Sequence, residues 1–347
     1  MPMTPRERFL AAARRQSVDS TPIWMMGQAG AWLPEHRASA SGNGLMDLAR
    51  DPMIAAELTC QPIRRFGFDA AMMFSDILVP AQAMGLSARI HAGHGPSLAP
   101  VVRDRAGVEA LAPFDPDEKT GFLASAIRLV RSEIGPDRAI VGCCGAPFTM
   151  ASHMIEGAST PDAIKTKALL AKDPELFLEL LARITEATIP YLAMQVEAGA
   201  DVLQIVDPLG CAVDHTTYAT HVLPHLSRLV CVAKAMSVPV ILYANHASHL
   251  TDLLVDAGPD VLSLETKAPV REILERWGTK LAFQGNLDPD ALLGTPDAAT
   301  DATQRVLDAF ATADGHIFNL GSECPAEARL DCVQAVVDAV RRGSAAR

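Results

Sequence analysis

Residues 22–37 read PIWMMGQAGAWLPEHR, and the way this stretch ends decides between the two large α/β folds open to a chain of this length. The apolar run 23–26 has the length and composition of a buried strand. It then breaks at Gly27-Gln28-Ala29-Gly30 into a loop carrying Trp32, Pro34 and Glu35. A doubly wound sheet would want a G-x-G-x-x-G turn after its first strand, and the spacing Gly27…Gly30 does not supply one.

Working outward, seven more short apolar runs follow, at 69–76, 139–142, 202–206, 238–243, 261–264, 281–283 and 316–320. Helical periodicity precedes the first run at 5–16. It recurs between and after the others at 52–66, 118–135, 161–171, 174–198, 216–236, 248–257, 269–276, 298–312 and 326–342. Strands alternating with helices imply a parallel sheet with helices outside, and eight units imply an α/β fold of the closed (β/α)8 TIM-barrel kind. No linker divides the chain, so a single domain over 1–347 is expected, with residues 77–116 as an extended insertion, hairpin-like in its Gly/Pro spacing, over one barrel face.

Hydrophobic residues make up 49% of the chain and aromatics only 5%, which predicts an aliphatic core. With 41 acidic against 30 basic residues the net charge is −11, so there is no basic excess with which to neutralise nucleic acid or an anionic membrane. No run reaches the ~18 apolar residues of a membrane span, and the N-terminus reads as a charged amphipathic helix, so a cytoplasmic location is expected. The seven cysteines form no framework spacing and read as free thiols.

In a barrel the carboxyl ends of the strands converge on one face. That face would collect Asp76, Cys143, Cys144, Asp207, Tyr243, Asn245, His246, Glu265, Gln284, Asn286, Ser322 and Cys324, with His153 just beyond the third strand. Asp76, between Ser75 and the apolar Ile77-Leu78-Val79, reads either as a strand-end cap on backbone N–H groups or as a poised acid or base. His153 reads as a partly exposed loop histidine or as a site residue, and His246 and His249 as structural residues at a strand-to-helix junction. His91 and His94 read as solvated, or as carried on a lid. Of the adjacent pair Cys143 and Cys144, only one can face the site. No C-x-x-C or H-E-x-x-H spacing is present; Cys143, His246 and Cys324 are the residues from which a metal site would have to be assembled.

Together these stretches resemble the uroporphyrinogen decarboxylase family. The resemblance rests on PIWMMGQAGAWLPEHR (22–37), CQPIRRFGFDAAMMFSDILVPAQAMG (60–85), GHGPS (93–97), GCCGAPFTMASHMIEG (142–157), GADVLQIVD (199–207), FQGNLDP (283–289) and FNLG (318–321), in the family's order. It implies a cytoplasmic barrel, commonly a homodimer, that decarboxylates a tetrapyrrole without metal or organic cofactor. It makes Asp76 the catalytic aspartate that grips the pyrrole N–H groups and stabilises the protonated intermediate. It places Gln28, Ala29, Gly30, Arg37, His153, Asp207 and Ser322 at substrate-binding positions.

The pattern also departs from the family. Gly27 and Ala31 stand at the two arginine positions of its R-Q-A-G-R loop, His153 at its tyrosine before M-x-E-G, Pro208 at its small hydroxyl residue and Ser322 at its N-L-G-H histidine. Arg37, Arg64, Arg65, His94 and His153 are the cations left to compensate. The expectation is a uroporphyrinogen decarboxylase-like carboxy-lyase acting on a tetrapyrrole or other carboxylated, pyrrolic ligand that is less acidic than uroporphyrinogen or different from it. Two alternatives stay open: a zinc- and corrinoid-dependent methyltransferase of the same superfamily, or a ligand-binding barrel without catalysis. Those methyltransferases place their metal ligands where Tyr243, Asn245 and Ser322 stand, so they would need a shifted set such as His246 with Cys324.

Overall fold

The computed structural model describes residues 2–27, 29–39, 44–91, 95–158 and 160–345. Its strands are β1 (Ala70–Met72), the hairpin pair β2 (Ser87–His91) and β3 (Gly95–Ala99), β4 (Ala139–Gly145), β5 (Val202–Val206), β6 (Val240–Tyr243), β7 (Val261–Ser263), β8 (Ala282–Leu287) and β9 (His316–Leu320). Seven of them form one sheet in the order β1-β4-β5-β6-β7-β8-β9, and every neighbouring pair is parallel. Helices follow the strands outside, which makes the chain a (β/α)8 barrel.

The eighth position is taken by the run around Ile23, as a single bridge rather than a ladder. Ile23 pairs in parallel with Phe318, Phe318 N–H donates to Pro22 O at 2.8 Å, and Trp24 N–H to Phe318 O at 3.3 Å. On the other side Asp69 N–H donates to Ile23 O at 2.9 Å, so the run closes the gap between β9 and β1. The first helix, Pro5–Ala13, begins at a capping box in which Thr4 and Glu7 exchange bonds, and proline occupies its first turn.

Side chains opposite each other in parallel strands share a face. The Gln284 amide donates to Gln204 and Ser263 while accepting from Trp24 Nε1, so these four residues fill the barrel interior. Gln204 lies opposite Cys143, and Cys144 opposite Ile205. Cys143 therefore faces inward and Cys144 outward.

Three expectations are corrected. Asp76 does not end a strand: β1 stops at Met72, and an irregular segment carries the chain on to the aspartate. Segment 77–116 does hold the hairpin but also two short helices, Val79–Ala83 and Arg105–Glu109. It lies against the end of helix Pro147–Glu156 through Leu98 N–H to Gly157 O (3.0 Å) and Val102 N–H to Met154 O (2.9 Å). The helix expected over 216–236 is broken into His215–Thr217, a π-turn over Tyr218–Val222 and Leu223–Ala235. Pro224 has no N–H for the carbonyl four residues back, so the regular ladder cannot run through it. Among the described residues no helix is long and apolar enough to cross a membrane.

Candidate active site

The mouth of the barrel is built from the segments that follow β1, β4, β6, β7 and β9. Asp76 Oδ1 accepts the N–H of Leu78 at 2.7 Å, which fixes the carboxylate, and Oδ2 has no donor among the described residues. Burial pushes the Asp76 carboxyl above its ordinary value, the Leu78 N–H opposes that shift, and the Glu323 carboxylate adds to it. Asp76 is in turn close enough to Cys143 for its charge to reinforce what burial does to that thiol, which is pushed up to about 12. Cys143 is therefore a protonated, inert wall of the site. Asp76 thus caps a turn with one oxygen, as one of its two sequence readings has it.

The first loop and the segment after β9 meet across this mouth. Cys324 N–H donates to Met26 O at 3.0 Å, and Trp32 Nε1 closes the loop on Gly27 O at 3.0 Å. Gly27 has φ +70°, and a Cβ there would lie 3.1 Å from Cys324 N. Ala29 and Gly30 are half-buried; Gln28 lies outside the described residues, as does His94.

Arg37 is exposed and donates to Ala31 O at 2.6 Å. It lines an open groove of about 560 Å³ with Trp32, Pro34, Arg329 and Asp331, a groove that Asp76 does not line. Arg64 and Arg65 are committed on the outside of the barrel. Arg64 holds both oxygens of Glu57 at 2.9 Å, and Arg65 both oxygens of Glu35 at 2.7 and 2.9 Å. These two arginines are removed from the set of cations expected to compensate at the site.

His153 is not a partly exposed loop residue. It is buried on helix Pro147–Glu156, its Nδ1 has no hydrogen-bond partner among the described residues, and burial depresses its basicity to about 4, so the ring is neutral. Asp207 is wholly buried, with Thr149 Oγ1 donating to Oδ1 at 2.6 Å and Tyr218 OH to Oδ2 at 2.8 Å. The π-turn places that tyrosine, and the carboxylate braces the loop after β5 with both oxygens occupied. Ser322 is half-buried directly after β9.

The metal candidates are not brought together. Cys143 faces the interior; His246 is exposed, its backbone N–H and ring both directed to Glu265; Cys324 Sγ lies against Pro325 O. No three His, Cys, Asp or Glu side chains among the described residues converge to hold an ion.

Three residues of the site were not singled out from the sequence. Glu323, between Ser322 and Cys324, reads there as an ordinary surface charge. Tyr191 comes from the long helix Pro174–Ala198, where a core aromatic carries no signal; burial, reinforced by Cys143 and Asp76 and opposed by Ser75, keeps its hydroxyl protonated. Asn319 is wholly buried with Oδ1 accepting from Met26 N–H at 2.8 Å and Nδ2 without an acceptor among the described residues. It lies opposite Asn286, two residues beyond Gln284, and so faces the barrel interior.

The described residues form a (β/α)8 barrel with a half-buried carboxylate, Asp76, on the irregular segment that follows β1 at the barrel mouth. The model of the family described as "Uroporphyrinogen decarboxylase (URO-D)" matches residues 4–343. A uroporphyrinogen decarboxylase of Myxococcus xanthus is 41% identical over 336 residues, covering 97% of this chain and 96% of that protein. One of Hahella chejuensis is 38% identical over 344 residues, covering 98% and 97%. The chain belongs to the uroporphyrinogen decarboxylase family. In structure it is similar to a methyltransferase from Methanosarcina mazei, with TM-score 0.85, 22% identity and coverage of 98% and 99%, a likeness of fold.

Proposed function

We propose that the protein is a carboxy-lyase acting on a pyrrolic carboxylic acid, with Asp76 as its catalytic residue. The observation that carries this reading is the Asp76 carboxylate, fixed by Leu78 at 2.7 Å and raised by burial, with its second oxygen presented at the barrel mouth. Ring N–H groups donate to such an acceptor. A proton added to the ring carbon next to the acid-bearing arm makes the ring cationic, and the adjacent carboxylate holds that charge. The bond to the carboxylate then breaks. Its electron pair neutralises the ring as CO2 leaves, the remaining methylene takes a proton to become methyl, and the ring carbon gives up the proton it first received, so the aromatic pyrrole returns and one proton is consumed overall. These steps call on no metal or organic cofactor.

The same residues support a ligand less acidic than the substrate after which the relatives are named. Gly27 and Ala31 offer no cation, and Arg64 and Arg65 are held by Glu57 and Glu35. Each charge-assisted contact is worth about 1.5–3 kcal/mol, so two absent arginines cost about 3–6 kcal/mol, or roughly two to four orders of magnitude in affinity. The test is incubation with uroporphyrinogen and with less carboxylated pyrroles, followed by chromatography of the decarboxylated products. Turnover that survives Asp76→Asn overturns the mechanism, and preference for uroporphyrinogen overturns the assignment of a less acidic ligand.

A further inference from the structure

We propose that Glu323 is a specificity-determining residue of this site, and that it makes the wall between the first loop and β9 a receptor for an N–H-bearing nitrogen, as in an ammonium or amide, rather than for a carboxylate. The inference rests on the Asp76 reading above and names the ligand chemistry of that site.

Two loops bring Glu323 to the mouth. The bond from Cys324 N–H to Met26 O, 3.0 Å, pins residues 322–324 against the end of the first run. A side chain at position 27 would start 3.1 Å from Cys324 N and 3.6 Å from Glu323 Cβ, so the segment after β9 stands where such a side chain would project. The charge delivered to this wall is therefore the carboxylate of Glu323. It acts on Asp76 from one side and on Tyr243, at the end of β6, from another, where Glu265 from beyond β7 acts with it. Among the described residues, the charged groups that act on these two residues are thus anionic. A ligand carboxylate approaching this wall meets repulsion, and an N–H donor meets an acceptor.

A second feature of β9 points the same way. Asn319 Nδ2, wholly buried and facing the interior, has no acceptor among the described residues. The strand thus offers one unmet donor inward and one anion at the rim. That pair suits a ligand with a single carboxylate or carbonyl and an N–H-bearing edge, and does not suit a ring bordered by carboxylates on every side.

The test uses two porphyrin probes that cannot turn over, uroporphyrin I and its fully amidated derivative, titrated by fluorescence against wild type, Glu323→Gln and Glu323→Arg. Glu323 is exposed, so both variants are expected to fold. Wild type is expected to bind the amide at least tenfold tighter than the octacarboxylate, Glu323→Gln to bring the ratio near one, and Glu323→Arg to invert it. A ratio that stays within twofold across the three proteins overturns the proposal, and so does the absence of binding to either probe by all three. Asp76→Asn separates the two readings: it should weaken both probes equally. If it changes neither while Glu323 substitutions move the ratio, the Asp76 reading fails and the role of Glu323 stands.

Discussion

Asp69 Oδ2 accepts the N–H of Ile23 at 2.8 Å while Asp69 N–H donates to Ile23 O at 2.9 Å, and this reciprocal pair closes the barrel. The same buried carboxylate takes Arg8 Nη1 at 3.0 Å from the first helix and Arg341 at 3.1 Å from the last. One side chain thus ties both ends of the chain to the seam. Asp69→Asn keeps the shape but leaves Arg341 without its anion and Arg8 with Asp19 alone. It is expected to cost about 1–3 kcal/mol in urea unfolding, with an unchanged m-value.

The seam also shows where sequence reading stopped. Eight apolar runs with intervening helices were legible because strand burial and helical periodicity are local signals, and the eight runs occupy the eight barrel positions. That the run at 23–26 makes a single bridge, and that Asp69 replaces a ladder there, depends on a residue 46 positions away. No local pattern encodes that contact. Asp76 was misplaced for a related reason: the apolar run 69–74 continues past the point where the neighbouring strand stops pairing with it.

Gly27 should resist substitution by arginine. At φ +70° any residue with a Cβ is strained, by about 1–2 kcal/mol, and here the Cβ also meets Cys324 N at 3.1 Å. Gly27→Ala is expected to lower stability by at least that amount and Gly27→Arg by more, whereas Ala31→Arg, at an exposed position, should be near neutral. Thermal unfolding of the three single variants checks the order. Equal stability would mean that the loop adopts another backbone in solution.

Asp76→Asn is expected to separate activity from stability. The amide can still accept the Leu78 N–H but cannot hold a cationic ring, so turnover of any decarboxylated substrate should fall by about 10²–10³-fold. Because burial raises the Asp76 carboxyl, its charged form is disfavoured in the folded protein, and that penalty is present above its folded value and absent at low pH. Removing the charge should therefore leave the unfolding midpoint at pH 8 unchanged or slightly higher. A large loss of stability would show the carboxylate to be structural.

The site was legible only in outline. Asp76 and Cys143 stand out because acids and thiols near strand ends are rare enough to notice. Which cysteine faces inward was settled by register, since Cys143 pairs with Gln204, and that is a long-range fact. Asp207 looked equally available, yet Thr149 and Tyr218, each from a different element, already occupy its oxygens. Glu323 was passed over because its neighbours at the mouth, Asp76 and Tyr243, are distant in sequence.

His153 should give the protein a measurable acid sensitivity. Its folded value, lowered by burial from 6.5 to about 4, means that the unfolded chain binds a proton in this interval that the native state does not. Stability therefore rises with pH between about 4 and 6.5 and is lost on acidification through the same window. At 1.36 kcal/mol per unit the contribution is roughly 3 kcal/mol at most. His153→Gln places a neutral polar group of similar size in the same buried position. Urea unfolding between pH 4.5 and 7.5 is expected to show a shallower slope for the variant than for wild type, with the two converging in slope above pH 7. Parallel slopes throughout would place the acid sensitivity on other groups and would show that His153 takes up its proton without leaving the fold.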